Sequence, residues 1–306
     1  MQFQSPLQAF LHWEKETPNQ LFLRQAVNRQ YQTWTYGQAG QEIRKMATYM
    51  QSIGLGANDH IALLSKNCPH WIMADLSISM IGAVSIPIYP TLNAESINHI
   101  LVHSESKAIF VGKLDDFSKQ KTGVPSIPII SVGMYGVSDG TNWETIVKQT
   151  SPLAEPTERQ QTDLITIIYT SGTTGVPKGV MHTIHAFAQV ADNFVKILPL
   201  KAHPNLFSYL PMSHVAERCL IENVGLFKGA NFTFPESLDT FASDLAKVQP
   251  DVFFAVPRIW GKFQEKILEK MPQGKLDRTL KIPIIGAIAK RKIKKKLGLS
   301  KANLVA

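Results

Sequence analysis

Apolar residues recur along this chain in two alternating textures, one with helical spacing and one in short unbroken runs. Between Gly37 and Ile53 the residues Ile43, Met46, Ala47 and Met50 fall on one helical face, and Gly54 follows as a helix stop. His60–Leu64 reads as a strand, Pro69–Ile81 as a helix, Ala83–Ile88 as a strand closed by Tyr89-Pro90, and Glu95–His103 as a helix. Strands are predicted at Ala108–Val111 and Ile127–Val132. Ser151–Gln161 is polar, holds Pro152 and Pro156, and reads as a surface connection. The alternation then resumes. Strands are expected at Leu164–Tyr169, Leu206–Leu210, Asn231–Phe234 and Val252–Val256, and helices at His185–Leu198, Val215–Phe227, Leu238–Val248 and Arg258–Lys270. Strands that alternate with helices predict an α/β fold, a mostly parallel sheet with helices packed on its faces. The polar connection suggests a first α/β unit over about 1–155, a second over 162–274, and a basic segment over 275–301.

The one long apolar stretch, Trp71 to Tyr89, contains Asp75, Gly82 and Pro87 and changes texture near Gly82, which predicts a buried helix and strand rather than a membrane span. The opening residues carry no secretory-signal pattern. Hydrophobic residues make up 44% and charged residues 18% of the 306, a balance that excludes a disordered chain. Cys68 and Cys219 share no pairing motif, so free thiols in a reducing, cytoplasmic compartment are expected. The net charge of +8 is local: ten Lys or Arg and one acid, Asp277, lie between Lys275 and Lys301, leaving the remainder near −1.

Candidate chemistry concentrates in Tyr169–Val180, Y-T-S-G-T-T-G-V-P-K-G-V. Gly172 and Gly175 let the backbone approach a ligand with no Cβ in the way. Ser171, Thr173 and Thr174 supply hydroxyls, the intervening N–H groups can converge on an anion, and Lys178 adds a mobile point charge. Together these residues suit a polyphosphate. Neither a Walker loop nor a dinucleotide fingerprint fits the string. A second segment, Leu210–Arg218 (L-P-M-S-H-V-A-E-R), places His214 at the start of a helix with Ser213 as the expected N-cap; N–H groups exposed there favour an anion. Glu217 and Arg218 read equally well as a helix-surface ion pair. His182 and His185 have the spacing of two ligands on one helical face, but no third ligand accompanies them.

Tyr169–Val180 resembles the phosphate-binding signature of the adenylate-forming (AMP-binding) superfamily of acyl-CoA synthetases, luciferases and peptide-synthetase adenylation domains. Leu210–Arg218, Val256–Trp260 (V-P-R-I-W) and Ile86–Leu92 (I-P-I-Y-P-T-L) are similar to segments of its long-chain fatty acid–CoA ligase branch. The resemblance runs from about Trp34 onward and implies an incomplete N-terminal domain over 1–306. It implies two-step ligation: a fatty acid carboxylate attacks the α-phosphate of ATP to give acyl-AMP and pyrophosphate, and the thiol of coenzyme A displaces AMP. It assigns Ser171, Thr174, Gly175 and Lys178 to the β- and γ-phosphates, with Thr170 and Gly172 in the same cradle, Thr173 to Mg2+, and His214 to the α-phosphate or carboxylate. For Trp260 both core packing and the wall of an acyl pocket remain open.

The family's adenine-binding segment, Thr-Glu pair, ribose-binding aspartate, hinge and C-terminal-domain lysine are not found here. A truncated product, or one half of a split enzyme that needs a complementary C-terminal polypeptide, is therefore expected, without turnover of its own. A ligase for another carboxylic acid and a non-catalytic binding protein remain as alternatives. The segment 281–299 combines isoleucines with cations. Ile285, Ile288 and Ile293 would share a stripe if a helix starts after Pro283, which leaves two uses open: a solvated cover, or peripheral contact with an anionic membrane. The lysine run lacks a nucleic-acid-recognition fold, so no nucleic-acid partner is expected.

Overall fold

A computed structural model describes residues 3–171 and 177–305. Helix α1 (Pro6–Glu16) starts at Ser5, whose Oγ accepts from Gln8 N–H at 3.0 Å. Strands β1 (Leu21–Val27) and β2 (Gln30–Thr35) form a hairpin through Asn28 and Arg29, both left-handed (φ 49° and 64°), the backbone a two-residue hairpin turn needs. A capping box of Thr35 and Gln38 opens α2 (Tyr36–Ser52). Next come β3 (His60–Leu64), α3 (Pro69–Met80), β4 (Val84–Ile88), α4 (Ala94–His103), β5 (Ala108–Val111), β6 (Ile129–Ser131), β7 (Thr141–Asn142) and α5 (Trp143–Gln149). The second half carries β8 (Leu164–Ser171), β9 (Pro177–Thr183), α6 (Ile184–Ile197) and β10 (Asn205–Phe207). A composite helix follows, made of α7 (Val215–Glu217), a π-helical turn over Arg218–Asn223, and α8 (Val224–Lys228). The chain continues through β11 (Asn231–Phe234), α9 (Phe241–Val248), β12 (Val252–Phe253), α10 (Pro257–Lys270), α11 (Gln273–Lys281), α12 (Pro283–Leu297) and β13 (Leu304–Val305).

The strands form two mostly parallel sheets, in the orders β13-β12-β10-β11-β1-β2 and β7-β6-β5-β3-β4-β8-β9. Only the hairpins β1–β2 and β8–β9 are antiparallel among the described pairings. Chain order and sheet membership interleave: β1 and β2 join the sheet of the later strands, and β8 and β9 join the sheet of the earlier ones. The boundary suggested by the polar connection therefore does not coincide with the boundary between sheets. Every residue of α3 and of β4 is buried, and the main apolar core joins α3 to Leu206 and Phe232 of one sheet and to Ile61 and Leu63 of the other. That accounts for the long apolar stretch. Among the described residues no helix is long and apolar enough to cross a membrane.

Several expectations are corrected. The hairpin β1–β2, with α1, α5 and α11, adds elements the periodicity did not suggest. The strands expected at Leu206–Leu210 and Val252–Val256 stop at Phe207 and Phe253. His182 lies on β9 and His185 in the first turn of α6, so the two imidazoles do not share a helical face. Ile285 and Ile288 are exposed beside Ile284, whereas Ile293 turns inward to line a groove under α12, so these three isoleucines form no common stripe. Trp260 packs edge-on against Phe253 and Phe263, 5.6 and 5.8 Å between ring centroids, in a core role.

Gly225 shows how tightly the composite helix sits on the sheet. A Cβ there would lie 2.4 Å from Phe232 Cζ and 2.8 Å from Leu206 Cδ1. Helix propensity alone favours alanine over glycine by ~1 kcal/mol, but overpacking of this kind costs about 1–3 kcal/mol. Gly225→Ala is expected to lower the urea midpoint with an unchanged m value; a raised midpoint would show that the contact yields freely.

Candidate active site

The glycine-rich segment lies in the chain between two paired strands, β8 and β9. Strands β8 and β9 pair antiparallel with Tyr169 opposite Gly179, Thr170 opposite Lys178 and Ser171 opposite Pro177. Gly172, Thr173, Thr174 and Gly175 lie outside the described residues, as does the side chain of Ser171. The strand register brings Thr170 and Lys178 abreast at the hairpin's outer end, both exposed. Lys178 makes no ion pair among the described residues. Deeper in the hairpin, Gly179 accommodates its neighbours: a Cβ there would meet Ile167 Cγ2 at 2.7 Å and the Tyr169 ring at 3.2 Å. The Tyr169 hydroxyl bonds His103 Nδ1 at 2.8 Å, which fixes the ring on α4.

The second segment is held by a different device. His214, not Ser213, caps α7: its Nδ1 accepts the Ala216 N–H at 3.1 Å. Ser213 is buried instead. With Nδ1 engaged as acceptor, the exposed imidazole presents its Nε2–H as a donor. The strand-like approach to His214 is held by Asn67, from the turn between β3 and α3. Its amide donates to Leu210 O at 2.7 Å and to Ser208 Oγ at 2.9 Å, and its Oδ1 accepts Met212 N–H at 3.1 Å. Glu217 completes this support by accepting from Ser208 Oγ at 2.7 Å and Tyr209 N–H at 3.1 Å. Burial pushes the Glu217 carboxyl up to about 8, although both hydrogen bonds pull the other way.

Glu217 and Arg218 are thus both buried, and neither pairs with the other. Arg218 is 1% exposed; its guanidinium lies 2.6 Å from Asp75 Oδ2 on α3 and 3.2 Å from Glu222 Oε2 one turn on. It also donates to Thr166 Oγ1 on β8 at 2.7 Å and to Ser85 Oγ on β4 at 3.3 Å. The rings of Trp71 and Phe187 lie 5.2 and 5.3 Å from it, within cation–π range. Burial pushes the Glu222 carboxyl up, in spite of the neighbouring Arg218 guanidinium that pulls it the other way. The Thr166 hydroxyl in turn donates to Ser85 O at 2.7 Å. Strand β8, which precedes the glycine-rich segment, and the helix that carries His214 are therefore bonded to each other through Arg218.

Comparison with known proteins decides the family. The sequence matches the family described as AMP-binding enzyme over residues 10–297. This chain belongs to the AMP-binding enzyme family. It is 28% identical over 264 residues to Long chain acyl-CoA synthetase 3 of Arabidopsis thaliana, and 26% identical over 269 residues to Long-chain-fatty-acid--CoA ligase heimdall of Drosophila melanogaster. Those alignments cover 78% and 79% of this chain but 39% of either relative, so the chain spans about two fifths of their length. The fold is shared with the inhibitor-bound N-terminal domain of FACL13 from Mycobacterium tuberculosis, at TM-score 0.70 and 23% identity, over 84% of this chain and 64% of that one. It is also shared with the adenylation domain of a carboxylate reductase from Mycobacterium chelonae, at TM-score 0.79 and 19% identity, over 98% of this chain and 53% of that one. Within this AMP-binding chain, Asn67, Asp75, Ser85, Thr166 and Glu222 support the two motifs, and none was expected from the sequence. Asp75 interrupting an apolar run was the one available signal.

Two outcomes follow from the network. Arg218→Met leaves two buried carboxyl groups without their cation and should cost about 3–5 kcal/mol. Replacing Asp75 and Glu222 by apolar residues in the same variant should recover most of that loss in urea denaturation; no recovery would assign the loss to packing. The second outcome concerns pH. The folded Glu217 pKa of about 8 stands above the ordinary 4.5, so the native state holds the extra proton and stability falls as pH rises between those values. Glu217→Gln should flatten the decline between about pH 6.5 and 8, a window that corresponds to ~2 kcal/mol at most for one group. An unchanged slope would assign the decline to other groups.

Proposed function

We propose that this chain carries the ATP-phosphate-binding part of a ligase that activates a long-chain fatty acid as acyl-AMP and passes the acyl group to coenzyme A. The observation that supports the reading most directly is the Arg218–Thr166 bond, because it couples the hairpin bearing Thr170 and Lys178 to the helix capped by His214. The names of the relatives supply the acyl substrate class and coenzyme A. In the first step a carboxylate oxygen bonds the α-phosphorus while its bond to the pyrophosphate oxygen breaks. In the second, the coenzyme A sulfur bonds the acyl carbon and AMP leaves.

The residues of this chain have distinct parts in that reading. Lys178 neutralises charge on the outer phosphates, and Ser171, Thr174 and Gly175, with Thr170 and Gly172 beside them, enclose them. His214 donates its Nε2–H to an oxygen of the α-phosphate or of the carboxylate, where charge builds as the bond forms. The hydroxyl-rich composition of 170–174 suits a cation held mainly by phosphates and water, as magnesium is. Magnesium, when bound, would draw charge from the phosphate oxygens, with Thr173 as its proposed protein ligand.

Calorimetric titration with ATP and with inorganic triphosphate tests the phosphate assignment on the chain as it is. Both should bind competitively, and Lys178→Ala should weaken both by roughly ten- to a hundredfold, the loss of one charge-assisted bond worth about 1.5–3 kcal/mol. ATP affinity that does not respond to Lys178→Ala, with the fold intact by circular dichroism, would sink the assignment.

A further inference from the structure

A second candidate site lies away from both motifs, where α9, α10, α11 and α12 meet. The hairpin α11–α12 buries only Gly286 among its residues, and beneath it lies a groove of about 440 Å³. That volume falls within the range of small-molecule sites, roughly 300–1,000 Å³. Phe263, Ile267, Met271, Ala289, Ile293 and Leu297 supply apolar walls. Phe263 and Leu297 join them to the aromatic core of Phe253 and Trp260. The mouth carries two lysine pairs, each spaced one helical turn: Lys266 and Lys270 on α10, Lys292 and Lys296 on α12. No acidic side chain lines the groove. Glu265 and Glu269 are exposed on α10, and among the described residues no ion pair engages any of the four lysines.

Like charges one turn apart repel, and four uncompensated cations around apolar walls are complementary to one kind of occupant. We infer that the groove between α10 and α12 binds a single-chain anionic amphiphile, a fatty carboxylate, with the chain against Ile267, Ala289 and Ile293 and the head among Lys266, Lys270, Lys292 and Lys296. An acyl chain suits a groove of this volume and apolar lining, whereas a bilayer would meet the outer isoleucines, Ile284, Ile285 and Ile288, and leave the groove untouched. The site is independent of the ligase reading, because its occupancy needs neither ATP nor coenzyme A.

A photoactivatable palmitate bearing a diazirine on its chain tests the inference on the whole 306-residue protein, without nucleotide. Adducts are expected on peptides from α10 and α12, displaced by palmitate and poorly by hexadecanol, which lacks the charge. Ala289→Trp, which fills the slot, should abolish those adducts. Changing the four lysines to Gln should weaken palmitate by about tenfold or more, the equivalent of at least one charge-assisted contact. The lysines are exposed, so thermal melts should match the parent for this variant. Adducts confined to other segments, or equal displacement by hexadecanol, would overturn the assignment. So would capture by phosphatidylglycerol vesicles together with no adduct from monomeric palmitate, which would make the hairpin a membrane contact.

Discussion

The guanidinium of Arg218 is the constraint on which the arrangement of the two motifs rests. It is enclosed between Trp71 and Phe187, paired with Asp75 and Glu222, and bonded to hydroxyls on β4 and β8. A cation placed there without partners would cost several kcal/mol in lost hydration. Apart from Glu222, one turn on in the same helix, the partners come from different places in the chain, so the cost is offset only when α3, β4, β8 and the composite helix assume one mutual position. Apolar packing alone tolerates small slips between such elements; a buried fork of donors tolerates fewer.

The helix itself is modified around that residue. Where a regular helix was expected over Val215–Phe227, the turn Arg218–Asn223 is π-helical, and Arg218, Cys219, Ile221, Glu222 and Asn223 are all buried. Such turns occur mostly as single interruptions and often near functional sites. The helix has little solvated face here, with only Leu220 of this turn part-exposed: its flanks meet α6, and α3 through Asp75, and Gly225 of α8 meets Leu206 and Phe232 of the sheet. A segment buried on nearly all sides has no amphipathic period to display. This explains why its extent could be read from the sequence while its winding and the depth of its charges could not.

Legibility differed in the same physical way elsewhere. The strands His60–Leu64, Ala108–Val111 and Asn231–Phe234 lie where short apolar runs predict them, and α2 is bounded by signals that local chemistry sets, a capping box and a following glycine. The hairpin β1–β2 escaped because its turn uses Asn28 and Arg29, with no glycine to announce two left-handed residues. Arg29 is instead held by contacts more than two hundred positions away, to Asp244 and Glu236. The strand Leu164–Tyr169 before the glycine-rich segment was legible as an apolar run, but the antiparallel register of β8 with β9 appears only in the pairing of the sheet. His214 was placed near a helix start correctly, yet the capping role assigned to Ser213 belongs to His214 itself. A one-residue shift in a cap changes which imidazole nitrogen is free, and composition carries no signal of it.

That shift links local structure to chemistry. An imidazole whose Nδ1 is occupied by a backbone N–H holds one tautomer and offers one donor, already oriented before any ligand arrives. The cap is positioned by Asn67 and Glu217 from one side and by Arg218 from the other, and Arg218 also holds the strand that ends at Thr170 and Ser171. Buried ion pairs are weak devices for stability, since apolar replacements of similar volume often do as well or better. Their use here is better understood as registration. One guanidinium fixes the relation between the strands that bear Thr170 and Lys178 and the helix end capped by His214, and donors held in place beforehand need no rearrangement to be used.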